Sequence, residues 1–196
     1  MSDEQELFSI SRRVGSSSLV IFERDGLLLR QKNPSNHLRL GDIDEDFVGM
    51  LRQLRDLNLR FGFISDQRGM DAGSYGRSEF AALTRVLDEL LGIHRAIPDF
   101  WIARGSPPRT GTEIQHQNND LLKPDVGIIL RAIKWYDVDN KRAVFVGHSP
   151  EGIQAAKRAK ITGIQFCGEQ NDRVTEVQRL GDTIQQILRP VHRRTA

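Results

Sequence analysis

Residues 18–31, SLVIFERDGLLLRQ, open as a buried strand and then, without a break in the chain, set Glu23, Arg24 and Asp25 in front of a glycine. Four apolar residues in a row, Leu19 to Phe22, with β-branched Val20 and Ile21 among them, fit a strand covered on both faces, as in a parallel sheet. Two carboxylates at i and i+2 at its carboxyl end, Glu23 and Asp25, then point out of the sheet toward one place. Ligands of open α/β sheets gather at that edge, which makes the acidic pair the first candidate for chemistry.

Working outward, the chain alternates. A long polar loop over 30–44, with Pro34 and Gly41, leads to a helix over 45–58 that Asp42 or Asp44 can cap and whose Phe47, Met50, Leu51 and Leu54 recur at helical spacing. RFGFIS (60–65) is a second strand. The glycine-rich 66–78 precedes a helix over 79–93 expected to end near Gly92. DFWIA (99–103) is a third strand, and a second long polar loop covers 104–120. A helix follows Pro124, then a strand RAVFVG (142–147), a helix over 151–160, a strand GIQFC (163–167) and a terminal helix over 173–191. Repeated β-loop-α units imply a parallel sheet with helices on both faces.

Composition sets the bounds. The 196 residues suit one domain, and 38% hydrophobic with 28% charged residues describe an ordinary globule. A formal charge of +2 gives no argument for a nucleic-acid partner. The single cysteine, Cys167, leaves no internal disulfide and no multi-cysteine zinc site, which fits a reducing cytoplasm. There is no run of 18 apolar residues, and MSDEQELFSISRR lacks the apolar core of a signal peptide, so the expectation is a cytoplasmic chain without a membrane contact.

Four strand ends or helix starts carry chemistry-bearing residues: Glu23-Arg24-Asp25-Gly26, Ser65-Asp66-Gln67, Lys123-Pro124 and Gly147-His148-Ser149-Pro150-Glu151-Gly152. In that order they resemble the haloacid dehalogenase-like phosphohydrolases, most closely the histidinol-phosphate and heptose-bisphosphate phosphatase branch. IFERDGL (21–27) is similar to that branch's FLDRDGT, SDQRGMDAG (65–73) to SNQSGIARG, LKPDVGI (122–128) to RKPKPGM, and VGHSPEG (146–152) to VGDKxxD. The resemblance runs from about Leu19 to Cys167. It implies a three-layer α/β, Rossmann-like (haloacid dehalogenase-like) parallel sheet with helices on both faces and no large cap domain, over 18–190, between an N-terminal extension (1–17) and a basic tail (191–196).

It also implies a chemistry. In the family an aspartate attacks phosphorus, a second acid two residues on protonates the leaving oxygen, and Mg²⁺, a hydroxyl and a lysine neutralise the phosphoryl oxygens. Carried over, Asp25 stands at the general acid, Ser65 and Asp66 at the phosphate-binding segment, and Lys123 at the phosphate-binding lysine. Glu23 takes the nucleophile position, where its extra methylene shifts the carboxylate by about 1 Å or more, a displacement that costs on the order of 10²-fold. His148 replaces the first acid of the metal motif and Gly152 the last, which leaves Glu23, His148 and Glu151 as the residual metal candidates. Imidazole suits transition metals better than Mg²⁺. Glu23 can equally be read as a salt-bridge partner of Lys123.

Two cations of the motif positions are gone, to Ala72 and Leu122, with Arg68 and Arg77 nearby; the loop before Lys123 holds His116 and no cysteine, which excludes a conventional structural zinc. His37, His94, His116 and His192 show no ligand spacing and read as surface residues, Trp101, Trp135 and Tyr136 as core, and Cys167 as the inert end of a buried strand. The functional expectation is a phosphatase-fold domain with impaired or absent turnover, a pseudoenzyme that binds or regulates through a small phosphorylated metabolite or anion. The competing reading is a working metal-dependent phosphatase acting on a sugar phosphate or histidinol phosphate, with Mg²⁺ as its cofactor. No protein partner is legible in the sequence.

Overall fold

The computed structural model describes residues 7–11, 17–29, 42–66, 74–104, 126–167 and 172–188. The strands are β1 (Leu7–Ser11), β2 (Leu19–Glu23), β3 (Arg60–Asp66), β4 (Phe100–Arg104), β5 (Ala143–Gly147) and β6 (Thr162–Gln165). The helices are α1 (Glu45–Asp56), α2 (Ser74–Ile93), α3 (Val126–Tyr136), α4 (Pro150–Arg158) and α5 (Arg173–Leu188). They form one sheet in the order β1-β4-β3-β2-β5-β6. Its last five strands are parallel, and β1 adds antiparallel to β4 with Leu7 opposite Arg104 and Ser11 opposite Phe100. This is the expected Rossmann-like α/β sheet, enlarged at one edge by a strand from the segment read as an extension.

Period-2 alternation splits the core between the two faces. Val20, Phe22, Phe61, Phe63 and Trp101 pack with α1, α2 and α5, whereas Leu19, Ile21, Phe100, Ile102 and Phe145 pack with α3 and α4. The first face is aromatic: the Trp101 ring stacks on Phe63 at 4.9 Å, and its indole N–H donates to Asp88 at 2.9 Å. Asp44 caps α1 by accepting from Phe47 N at 2.9 Å, and Arg173 of α5 pairs with the same buried carboxylate while donating to Leu27 O. That ion pair ties α5 to the turn that follows β2.

α1, α2, α3 and α4 end alike. One or two residues past the end of each, Asn58, Arg95, Asp137 or Lys160 has φ of 55°, 57°, 50° or 58°. Its N–H donates to the carbonyl three residues back, and the following N–H reaches the carbonyl five residues back, as in Ile161 N to Ala156 O. α2 ends at Ile93, beside Gly92 as expected, with the turn at Arg95 after it; the correction is at its start, Ser74, five residues before the helix read in the sequence. A second correction concerns β6. As an edge strand it is largely exposed, and Cys167 beyond it is exposed rather than buried. No helix among the described residues is long and apolar enough to cross a membrane.

Candidate functional site: the carboxyl edge of β2, β3 and β5

From β2 the chain moves to β3 and β4 on one side, then crosses to β5 and β6 on the other. The strand order thus reverses between β2 and β5, the position where open α/β sheets bind ligands. Glu23 is the last residue of β2, Ser65 and Asp66 end β3, and His148 follows the last residue of β5. Parallel pairing puts all four at the same edge.

Glu23 crosses this switch point and meets the start of α4. Its Oε2 accepts from the backbone N–H of His148 at 2.9 Å and of Ser149 at 3.3 Å, and its Oε1 accepts from the Ser149 hydroxyl at 2.5 Å. Ser149 is the N-cap of α4, so the same Oγ also accepts from Gly152 N at 3.1 Å. The carboxylate is thereby satisfied at both oxygens and placed where the positive end of the helix favours an anion. His148 Nδ1 lies 2.8 Å from Oε2 but off the line of a hydrogen bond, so the ring is a close neighbour of the carboxylate and not an aligned donor.

Two glycines make this approach feasible. A Cβ at Gly147 would lie 2.7 Å from Glu23 Cδ, and one at Gly152 would fall inside contact distance of Glu23 Oε1 and 2.9 Å from the Phe145 ring. The chain next turns at Gly26, whose φ of +85° is left-handed and whose open side is covered by the His148 imidazole. The turn closes through Leu28 N and Leu29 N to Arg24 O, which buries Leu27, Leu28 and Leu29 completely. Within it the buried Arg24 forks onto Asp25, Nε to Oδ1 at 2.9 Å and a terminal nitrogen to Oδ2 at 3.2 Å. Both oxygens of Asp25 are thus committed to a guanidinium. The remaining Arg24 terminal nitrogen and the buried Ser65 Oγ have no hydrogen-bonding partner among the described residues.

No family model matches the chain. A heptose-1,7-bisphosphate 7-phosphatase of Rhodopseudomonas palustris is 31% identical over 127 residues, which span 62% of this chain and 68% of that protein. The chain belongs to the haloacid dehalogenase-like superfamily, in its heptose- and histidinol-phosphate phosphatase branch. A bifunctional histidine-biosynthesis protein of Xylella fastidiosa is 24% identical over 76% of this chain, which spans 38% of that protein. Among solved structures, a candidate haloacid dehalogenase-like phosphatase of Mesorhizobium loti superposes with a TM-score of 0.72 at 20% identity, over 97% of this chain and 98% of that one. A heptose-bisphosphate phosphatase from B. bronchiseptica, complexed with magnesium and phosphate, gives 0.57 at 18% identity over 74% of this chain and 78% of that one. Both likenesses concern the fold.

The haloacid dehalogenase-like fold implies a Mg²⁺ at this edge, and the donors among the described residues do not fit one. A hard octahedral cation takes carboxylate and water oxygens. Here both Glu23 oxygens are held by the protein's own donors, and Gly152 offers no ligand. The candidate set Glu23, His148 and Glu151 is not assembled: Glu151 is exposed on the first turn of α4, and no group of three His, Cys, Asp or Glu able to hold a metal occurs among the described residues.

Of the other expected residues, Glu23, Asp25, Ser65 and His148 lie at one edge, Asp66 ends β3 with its backbone alone described, and Lys123, Arg68, Ala72 and Leu122 lie outside the described residues. The reading of Glu23 as a partner of Lys123 falls there too. Ser149 was missed. Its signal was a serine directly before a proline after a buried strand, the pattern of an N-cap with proline at the first helical position. At the opposite edge of the sheet, burial raises the carboxyl pKa of Asp99, against Arg55 and the Phe61 N–H, which lower it.

Proposed function

We propose that this protein is a phosphatase-fold binding or regulatory module with impaired or absent phosphohydrolase activity, which takes a small phosphorylated metabolite at the carboxyl edge of its sheet in a cytoplasmic setting. The observation that carries the reading is the Glu23 carboxylate, both of whose oxygens accept from His148 and Ser149. A nucleophile must have an oxygen free to approach phosphorus in line, and this one is turned toward α4 instead. Asp25, the residue at the acid position, is likewise taken up by Arg24. Support for a phosphorylated ligand comes from the buried Ser65 hydroxyl, which has no partner among the described residues, since an unmet buried donor has a cost that an anion oxygen can offset.

The second reading, a working phosphatase on a small phosphorylated sugar, is favoured by the 31% identity to a heptose-bisphosphate phosphatase. A panel of phosphate monoesters with excess Mg²⁺, Mn²⁺ or Co²⁺ separates the two. The binding module turns over far below the ordinary enzyme range of about 1–10³ s⁻¹, while a sugar phosphate raises the melting temperature more than the sugar alone and Ser65→Ala removes that difference. Turnover in the ordinary range that Glu23→Ala abolishes would establish the enzyme.

A further inference from the structure

We infer that Glu23 and Gly152 work as one unit that closes the site to a divalent cation, the carboxylate of residue 23 filling the space into which any side chain at position 152 would project. Three observations meet here. A Cβ on Gly152 would fall inside contact distance of Glu23 Oε1, and one on Gly147 would lie 2.7 Å from Glu23 Cδ, so a longer acid at 23 and bare backbone at 147 and 152 require each other. The carboxylate needs no counter-ion, because the His148 and Ser149 amides and the Ser149 hydroxyl already satisfy it at the N-terminus of a nine-residue helix. Ser149 Oγ, by accepting from Gly152 N while donating to Glu23, fastens the two partners through a single atom.

What a cation would supply, positive charge beside the carboxylate, α4 supplies as fixed dipoles. An internal group that is always in place also has no concentration dependence, so the edge keeps its charge balance at any Mg²⁺ level. The inference concerns the same carboxylate as the binding-module reading and rests on that reading for its physiological meaning, but its test uses stability and Mg²⁺ binding, not turnover.

The test is a double-mutant cycle on the full chain, read as melting temperature with and without millimolar Mg²⁺. Gly152→Ala alone lowers Tm by about 5 °C or more, through overlap with Glu23 Oε1 and the Phe145 ring. Glu23→Asp, which withdraws the carboxylate by about one bond length, recovers part of that loss, so the double variant is more stable than the two single losses predict. Wild-type Tm does not respond to Mg²⁺, whereas Glu23→Asp combined with His148→Asp and Gly152→Asp gains a Mg²⁺-dependent rise. Strictly additive losses in the cycle, a rise of wild-type Tm with Mg²⁺ alone, or a folded triple variant indifferent to Mg²⁺ would each overturn the inference. Should the triple variant not fold, the alanine cycle and the wild-type titration still decide it. Hydrolysis by the wild type with the coupling intact and no Mg²⁺ response would sink the binding-module reading and leave the Glu23–Gly152 unit standing.

Discussion

Ser149 holds two parts of the molecule together with one oxygen. Its hydroxyl donates to Glu23 at 2.5 Å and accepts from Gly152 N at 3.1 Å. Ser149→Ala removes an N-cap, about 0.5–2 kcal/mol, and a hydrogen bond to a charged group, about 1.5–3 kcal/mol. The two losses share an atom and do not add, so the expected destabilisation is about 2–3 kcal/mol, read as a lower urea midpoint at unchanged slope. A loss no larger than that of an exposed serine would show that the contact to Glu23 carries nothing. Much of this was legible in the sequence, since the order of four motifs was enough to single out Glu23, Asp25, Ser65 and His148. What Gly152 does was not. Read along the chain it is a missing ligand, and only the meeting of β2 with the start of α4 shows it as the room Glu23 needs.

At the scale of elements, the helix ends fall near where the sequence puts them but use residues it does not announce. Glycine is the usual residue in the left-handed position after a helix, yet α1, α2, α3 and α4 use Asn58, Arg95, Asp137 and Lys160 there. The buried apolar residue that follows each, Leu59, Ala96, Val138 or Ile161, anchors the turn at its other side. α2 ends where expected, at Ile93 beside Gly92, but the left-handed residue that closes it is Arg95, with Ala96 as its hydrophobic stop. Lys160 is exposed, so Lys160→Gly removes a left-handed strain of about 1–2 kcal/mol against an entropic loss of about 0.5–1 kcal/mol. The expected result is a gain of up to about 1 kcal/mol, or about 2–4 °C in melting temperature. A fall in Tm would mean that the lysine side chain, not the backbone, matters at this turn. The strand missed in the sequence has a related cause. Leu7–Ser11 is five residues long and pairs with β4, nearly a hundred residues away, so no local hairpin signal announces it.

For the whole molecule, the five parallel strands bring residues from positions 23 to 149 to one edge, and the reversal of strand order between β2 and β5 opens the place where they meet. The fold was readable because parallel β-α units have a strong periodic signature, and the family because its motifs fall at strand ends. The state of the site was less readable, since one sequence pattern serves either a metal-bound carboxylate or a carboxylate held by its own helix. A crystal structure grown with millimolar Mn²⁺, with anomalous scattering recorded for the cation, separates these directly. The arrangement predicts no anomalous peak at the carboxyl edge of β2, with the Glu23 carboxylate still accepting from the His148 and Ser149 amides. A manganese peak coordinated by Glu23, with the carboxylate swung away from α4, would contradict it.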